Sequence, residues 1–350
     1  VKQRYAKLEI EKAAAQGSEK VEGEVNASKF FLPATEMGLA PNPSLLDRSD
    51  EIRQIDGRVV GAKNDYAPTG SVVIRGYANI LGVLLYLLFG EVTTEEGNGT
   101  TVKDPAGTPI PKKAFKHTFT KKSGSLPRSA RATLAYYDKW LRARGLTVPS
   151  LAFAMADDGV KITGSLMANY LSRLTVDPAD EVKGDALSVL PFRRRNVELT
   201  TPSLATTALL NSIDFSMEQS LEAVRTMGSM SGWPQATERA NSPEGFLRLQ
   251  GSLARRDFDA ADWDALIEAS VFGLNFKMQS EQAIPEVEGG AYPFGLWVIT
   301  SGAQYSGGSV ENLKQQARHE GTFDWQAGTT EAGKSDFEAV LVNGTKSYTE

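Results

Sequence analysis

The sequence predicts a mainly β chain with short helices, an α+β arrangement of two tandem β-sandwich or barrel domains, each flanked by a helix. Three observations predict it. Short apolar runs alternate with period two, as at residues 151–156 and 272–278, the spacing of a half-buried strand. Strongly apolar helical patterns are few, with the main one of each half at residues 79–89 and 262–271. The chain has 350 residues, more than the ~250–300 at which a single core stops growing. The order strand, Gly, linker, buried helix, Phe-Gly also occurs twice: Ile74-Arg75-Gly76 leads to Phe89-Gly90, and Leu249-Gln250-Gly251 leads to Phe272-Gly273.

Residues 1–30 are polar and mixed in charge, with Tyr5 and Leu8 as a poor apolar stripe; they predict an extended or loosely helical arm. Pro33, Pro41 and Pro43 mark loops. Residues 71–76 predict a strand, and residues 79–89 a buried helix with Leu84, Leu85 and Phe89 in its core and Gly90 as its C-cap. Residues 91–114, rich in Gly, Thr and Pro, predict a long exposed loop. Strands follow at 115–119, 151–156 and 160–166, the last two joined at Asp158-Gly159. Residues 131–137 fit a strand or a helix running to Arg144, and 177–191 a connector.

The second half opens with short strands at 196–200 and 212–215. Ser216-x-x-Gln219 fits a capping box before a helix carrying Met217, Leu221 and Val224. Residues 246–253 alternate, and 262–271 predict a helix with Trp263, Leu266, Ile267 and Val271 on its buried face. Strands are expected at 272–278, 294–300 and 339–342, the last beside an Asn343-Gly344 turn. The domain reading is an arm at 1–30, a first domain at 31–190 with its loop at 91–114, and a second at 191–350.

Chemistry is excluded more readily than it is found. The chain has no cysteine, so disulfides, thiolate metal sites and thiol catalysis fall away. Of its two histidines, His117 reads as a surface or half-buried strand residue and His319 as solvated. No phosphate loop, dinucleotide fingerprint or nucleophile elbow is present. Asp257, Asp259, Asp262 and Asp264 lack the Gly and Glu of an EF-hand and read better as helix N-terminal charges. No catalytic, cofactor or metal residues are expected, and the chain reads as no enzyme. The balance of 38 basic and 43 acidic residues, net −5, argues against a dedicated nucleic-acid binder. A basic stretch at 112–131 includes Lys112, Lys113, Lys121 and Lys122, and Arg193-Arg194-Arg195 adds a second spot; a nucleic-acid site, a subunit contact and a solvated face stay open for both. The first residues lack an apolar signal core. The longest apolar run, 80–89, is half the ~20 residues a spanning helix needs. A soluble protein made in a reducing cytoplasm, without a membrane partner, is expected.

Read as an ordered string, the chain resembles the tail tube (major tail) proteins of long-tailed, siphophage-type bacteriophages. The pieces are Thr35-Glu36, Asn42-Pro43, Ser49-Asp50-Glu51-Ile52-Arg53, the Gly70-to-Gly76 strand leading into Leu81-Gly82-x-Leu84-Leu85, and Phe89-Gly90. Lys103-Asp104-Pro105, Pro109-x-Pro111 and Phe115-x-His117-x-Phe119 continue it, with Ser212-Ile213-Asp214-Phe215, Leu249-x-Gly251-Ser252 and Asp262-Trp263-Asp264-Ala265-Leu266 in the second half. The likeness covers roughly residues 31–320.

The resemblance implies a structural virion subunit without cofactors, assembled in the bacterial cytoplasm. Its tandem domains would be tail-tube-like. Rings of it would stack head to tail into a hollow tube through which double-stranded DNA passes without sequence-specific binding. Three chains would make a ring if the domain is duplicated, six if not. Tape-measure and terminator proteins would be partners, and likeness to flexible tails implies no sheath. Within that reading Tyr5, Leu8, Asp104, Pro109, Lys112 and Lys113 are candidate inter-ring contacts. Lys121, Lys122 and Arg193–Arg195 are candidate subunit contacts or outer wall, away from the bore. Neighbouring strands are expected to pair edge to edge. Other tail components, a terminator or distal tail protein, are alternatives, as is a sugar-binding β-sandwich or adhesin with Trp233, Trp297 or Trp325 as its platform.

Overall fold

The structure, a computed structural model, describes residues 5–11, 25–45, 63–121, 127–136, 139–156, 159–175, 189–200, 210–224, 234, 236–239, 247–255, 260–311, 320–328 and 335–349. The chain is mainly β with two short helices. In order come β1 (Tyr5–Glu11), β2 (Val25–Ala40), β3 (Pro43–Leu45), β4 (Lys63–Tyr66), β5 (Thr69–Arg75), α1 (Ala78–Phe89), β6 (Gly90–Glu96), β7 (Phe115–Lys121), β8 (Ala130–Tyr136), β9 (Lys139–Ala156), β10 (Gly159–Met167) and β11 (Tyr170–Leu174). Then follow β12 (Val197–Thr200), β13 (Leu210–Glu218), β14 (Leu221–Val224), β15 (Ala236–Arg239), β16 (Arg248–Arg255), α2 (Ala260–Ile267), β17 (Asn275–Ala283), β18 (Pro293–Thr300), β19 (Ala303–Glu311), β20 (Glu320–Ala327) and β21 (Phe337–Asn343).

Eight strands form one antiparallel series in the order β2-β5-β10-β9-β13-β16-β20-β19. The 18-residue β9 serves two neighbourhoods. Its second half lies between β10 and β13, and its first half between β8 and β11. Gly145, at φ 58, and Pro149 lie where the partners change. A Cβ at Gly145 would come within 2.3 Å of the Asn169 side chain, so the bend requires glycine. β8 continues to β1, and β1 to β2, so the pairings run from β2 through β5, β10, β9, β8 and β1 back to β2. A second sheet, β12-β17-β18-β21-β7-β6, faces the first across α1.

Helix α1 is apolar all round, and eleven of its twelve residues are buried. A stripe would mark a surface helix; apolarity on every side marks one enclosed between layers. Leu84, Leu85 and Phe89 are fully buried, each worth roughly 1.5–3 kcal/mol of burial free energy. The helix ends at Gly90 in the left-handed conformation (φ 92), whose N–H donates to the Tyr86 carbonyl. Gln219 Nε2 donates to the Leu88 carbonyl and Arg128 Nε to that of Gly90, so distant side chains satisfy the helix end. Across the layers Phe153, Phe215, Phe276 and Trp325 stack in series at 4.6, 4.8 and 5.2 Å between centroids, joining both halves in one core.

Several expectations are corrected. Of the extended and loosely helical readings of the arm, residues 5–11 take the extended one, as a sheet strand with Leu8 and Ile10 buried on one face of β1. Residues 91–96 form β6, paired with β7, rather than loop. Residues 131–137 do not open a helix: 130–136 form strand β8. Ser216 and Gln219 do not cap a helix. Ser216 pairs within the sheet opposite Gln250 and Ala152, and Gln219 is spent on α1. His117 is fully buried rather than half-exposed. Trp263 and Ile267 of α2 are 40% and 67% exposed, so the expected buried face of that helix is solvent-facing in the single chain; Leu266 alone of the three is half-buried. Among the described residues no helix is long and apolar enough to cross a membrane.

Candidate assembly surface

Over the middle of β9, β13, β16 and β20 the face of the long sheet turned away from α1 carries mostly small side chains. Period two puts Phe153, Phe215 and Trp325 inward and leaves Ala152, Ala154, Asp214, Ser216, Gln250, Ser252 and Asp324 outward. These line a shallow groove of about 480 Å³ running over β9, β13, β16, β20 and β19. Its only charges are the carboxylates of Asp214 and Asp324. The nearest cations of the same face sit on other strands or at a strand end: Arg75, Lys161 and Arg248. Among the described residues no group of three or more His, Cys, Asp or Glu could hold a metal. The groove has no buried nucleophile or base, so its chemistry is that of a smooth, weakly acidic, hydrogen-bonding surface.

Two close backbone approaches shape this sheet. A Cβ on Gly70 of β5 would meet the Gly38 carbonyl oxygen of β2 at 1.9 Å, and a Cβ on Gly251 of β16 would meet the Asp214 carbonyl oxygen of β13 at 2.3 Å. No other residue fits at either crossing. Each glycine is followed by serine in the sequence, Gly70-Ser71 and Gly251-Ser252. That dipeptide is a better-aligned echo than the Gly76/Gly251 pairing expected above. Gly76 follows its strand, whereas Gly251 lies within β16.

The basic groups are elsewhere. Arg195 forms a two-bonded pair with Glu281 at 2.5 and 2.8 Å, and Arg193 lies 3.7 Å from the same carboxylate. The pairing holds Arg195 above and Glu281 below its ordinary range. Arg194 adjoins them in the turn before β12, on the second sheet. Lys121 pairs with Asp336 and lies 4.7 Å over the Phe337 ring, while Lys122 lies outside the described residues. Neither spot borders the groove.

Of the residues expected between rings, Leu8 is core, and β1 is a sheet strand that includes Tyr5. Asp104 is also buried: its carboxylate accepts from the Tyr292 hydroxyl at 2.6 Å and from Thr108 N–H at 2.8 Å. Burial and this carboxylate raise the Tyr292 hydroxyl well above its ordinary pKa. Lys113 pairs with Glu288 at 2.9 Å, and Lys112 bridges Glu288 through the backbone. The loop after β6 is therefore fastened to the β17–β18 connection of its own chain, leaving Pro109 and the lysines at its exposed rim. Trp297 and Trp325 are buried at 4% and 1%, which removes two of the three residues considered for a sugar platform; Trp233 lies outside the described residues, as do His319, Asp257 and Asp259.

What sequence reading missed is the sheet edge. β19 ends the series: Ala303 at its start also bridges Phe272, and among the described residues 307–311 pair in the sheet with β20 alone. Residues 38–40 of β2, at the other end, pair in the sheet with β5 alone among the described residues. The signal was available in the alternation of 303–309 and 34–40, but no local feature tells an edge from a centre. Together the layers define two large antiparallel sheets with a polar outer face and, among the described residues, open edge stretches at 307–311 and 38–40. No family model matches the chain, and no curated protein does.

Proposed function

We propose that the chain is a structural virion subunit, a tail tube protein whose rings stack into the hollow conduit for phage DNA. The observation that carries this is a repeated strand order. β2-β5-β10-β9 and β13-β16-β20-β19 are two four-stranded units in the same order. In each the helix follows the second strand, α1 after β5 and α2 after β16. In each the same glycine receives the preceding strand's backbone. The units join side by side through β9 and β13. A unit that has joined once to its like by translation in the sheet has a heterologous contact, which generates rings when the rotation closes. With six units per ring, as the resemblance implies, three chains suffice.

The outer face suits a bore. Every Lys or Arg touching phosphate adds affinity by counterion release, and the groove offers carboxylates, hydroxyls and methyls instead. The paired cations lie on the second sheet, which would be the wall. Tape-measure and terminator proteins are the expected partners at the bore and the end. Light scattering on the purified chain over a concentration series tests the reading. Growth through particles built of three chains is expected; a monomer at every concentration would contradict it.

A further inference from the structure

The two helices hold corresponding places but differ in cover. α1 packs on β9, the last strand of the first unit, and α2 on β19, the last of the second. β18 and β21, from the second half of the chain, also cover α1. α2 has no such cover among the described residues. Trp263, Ile267 and Val271 are 40%, 67% and 49% exposed; the segment bridges the start of β19 at Ala303 and, among the described residues, leaves the edge of 307–311 open. Large apolar groups next to open backbone donors and acceptors mark a surface meant for another chain.

The chain itself shows what fits there. Leu39 faces Gly70 as Phe215 faces Gly251, so Ala40 corresponds to Ser216. Leu166 faces Gly70 as Trp325 faces Gly251. Three residues back along each strand, Thr163 faces Ala152 and Thr322 faces Ser309, so Ser309 corresponds to Ala152. Within the chain Ala152 pairs with Ser216.

Resting on the tube reading above, we propose that the 309–311 end of β19 of one copy pairs antiparallel with residues 38–40 of β2 of the next, with Ser309 opposite Ala40 and Val310 opposite Leu39. The same neighbour covers α2. The β6–β7 hairpin follows α1 as β17–β18 follows α2. The neighbour's β7 therefore lies over Trp263, Ile267 and Val271, as β18 lies over α1.

The absence of cysteine makes the register directly testable. Paired strand positions hold Cα atoms at ~4.5–5.5 Å, within disulfide reach. The full chain carrying Ser309→Cys and Ala40→Cys is oxidised and run without reductant, beside the two single variants mixed. The double variant is expected to give dimers and a trimer that closes on itself, reversed by reductant; the mixture gives S309C–A40C dimers only. Adding Ile267→Glu, an exposed change that leaves the monomer's melting temperature unchanged, is expected to cut cross-linking at least tenfold. Uniform rings or tubes in the microscope without the cross-link would overturn this junction and leave the tube reading standing. Neither particles nor cross-link would overturn both. Cross-linking indifferent to I267E would overturn the covering of α2.

Discussion

His117 shows how a single residue can be legible in kind and misjudged in setting. Its place in an alternating strand was plain, but Asn343, one of the partners that enclose it, is 226 residues away in sequence. Nε2 lies 3.1 Å from Asn343 Oδ1 and Nδ1 2.9 Å from Thr94 Oγ1, under the Tyr348 ring. Burial pushes the imidazole down to about 4, against the opposing pull of Asn343 and Thr345. The unfolded chain, near 6.5, takes up a proton that the folded chain refuses. Stability is therefore full above pH 6.5 and falls as the pH drops toward 4, by roughly 2.5 kcal/mol at pH 4.5. Urea unfolding at pH 7 and 4.5 checks this: His117→Gln is expected to lose that much less on acidification, and an unchanged pH slope would contradict it. Gly82 is a second case. A Cβ there would sit 2.0 Å from the Tyr348 ring, so Gly82→Ala is expected to destabilise by about 1–3 kcal/mol, read as a lowered urea midpoint; a neutral result would mean that the C-terminal turn does not pack there.

Among elements, those with one clean period were legible. β5, β7, β10, β17, β18 and α1 follow alternation or an all-apolar run, with shifts of a few residues at their ends. β1 was missed although Leu8 and Ile10 alternate with Lys7 and Glu9. Its polar face is buried too: Glu9 accepts from Arg131 at 3.0 Å with Lys7 at 3.9 Å, so the charges read as solvent-facing and the strand as a tail. α2 was read as core because its stripe is real; in the single chain that stripe lies at the surface. The loop after β6 was read as reaching outward because nothing local announces the pairing of Asp104 with Tyr292. Tyr292→Phe would leave that buried carboxylate short of a donor. A loss of about 1–3 kcal/mol is expected, with faster proteolysis within 97–114; unaltered cleavage would show the loop held by other means.

For the whole molecule, composition excluded thiol chemistry and the sequence order carried the family likeness, while the arrangement of charge emerged only with the fold. Small side chains and two carboxylates line the groove on one face, and Arg193, Arg195 and Lys121 are paired on the opposite sheet. The repeated strand order was legible only as a faint echo. The repeated object is a strand order and a backbone crossing, and most side chains at matched positions differ. That repeat makes the central claim a matter of symmetry. Negative-stain electron microscopy of the purified chain without DNA, over a concentration series, tests it most directly. The account predicts rings or stacked tubes of uniform width, six units around and three chains per ring. Six chains per ring, or a chain that never assembles, would contradict it.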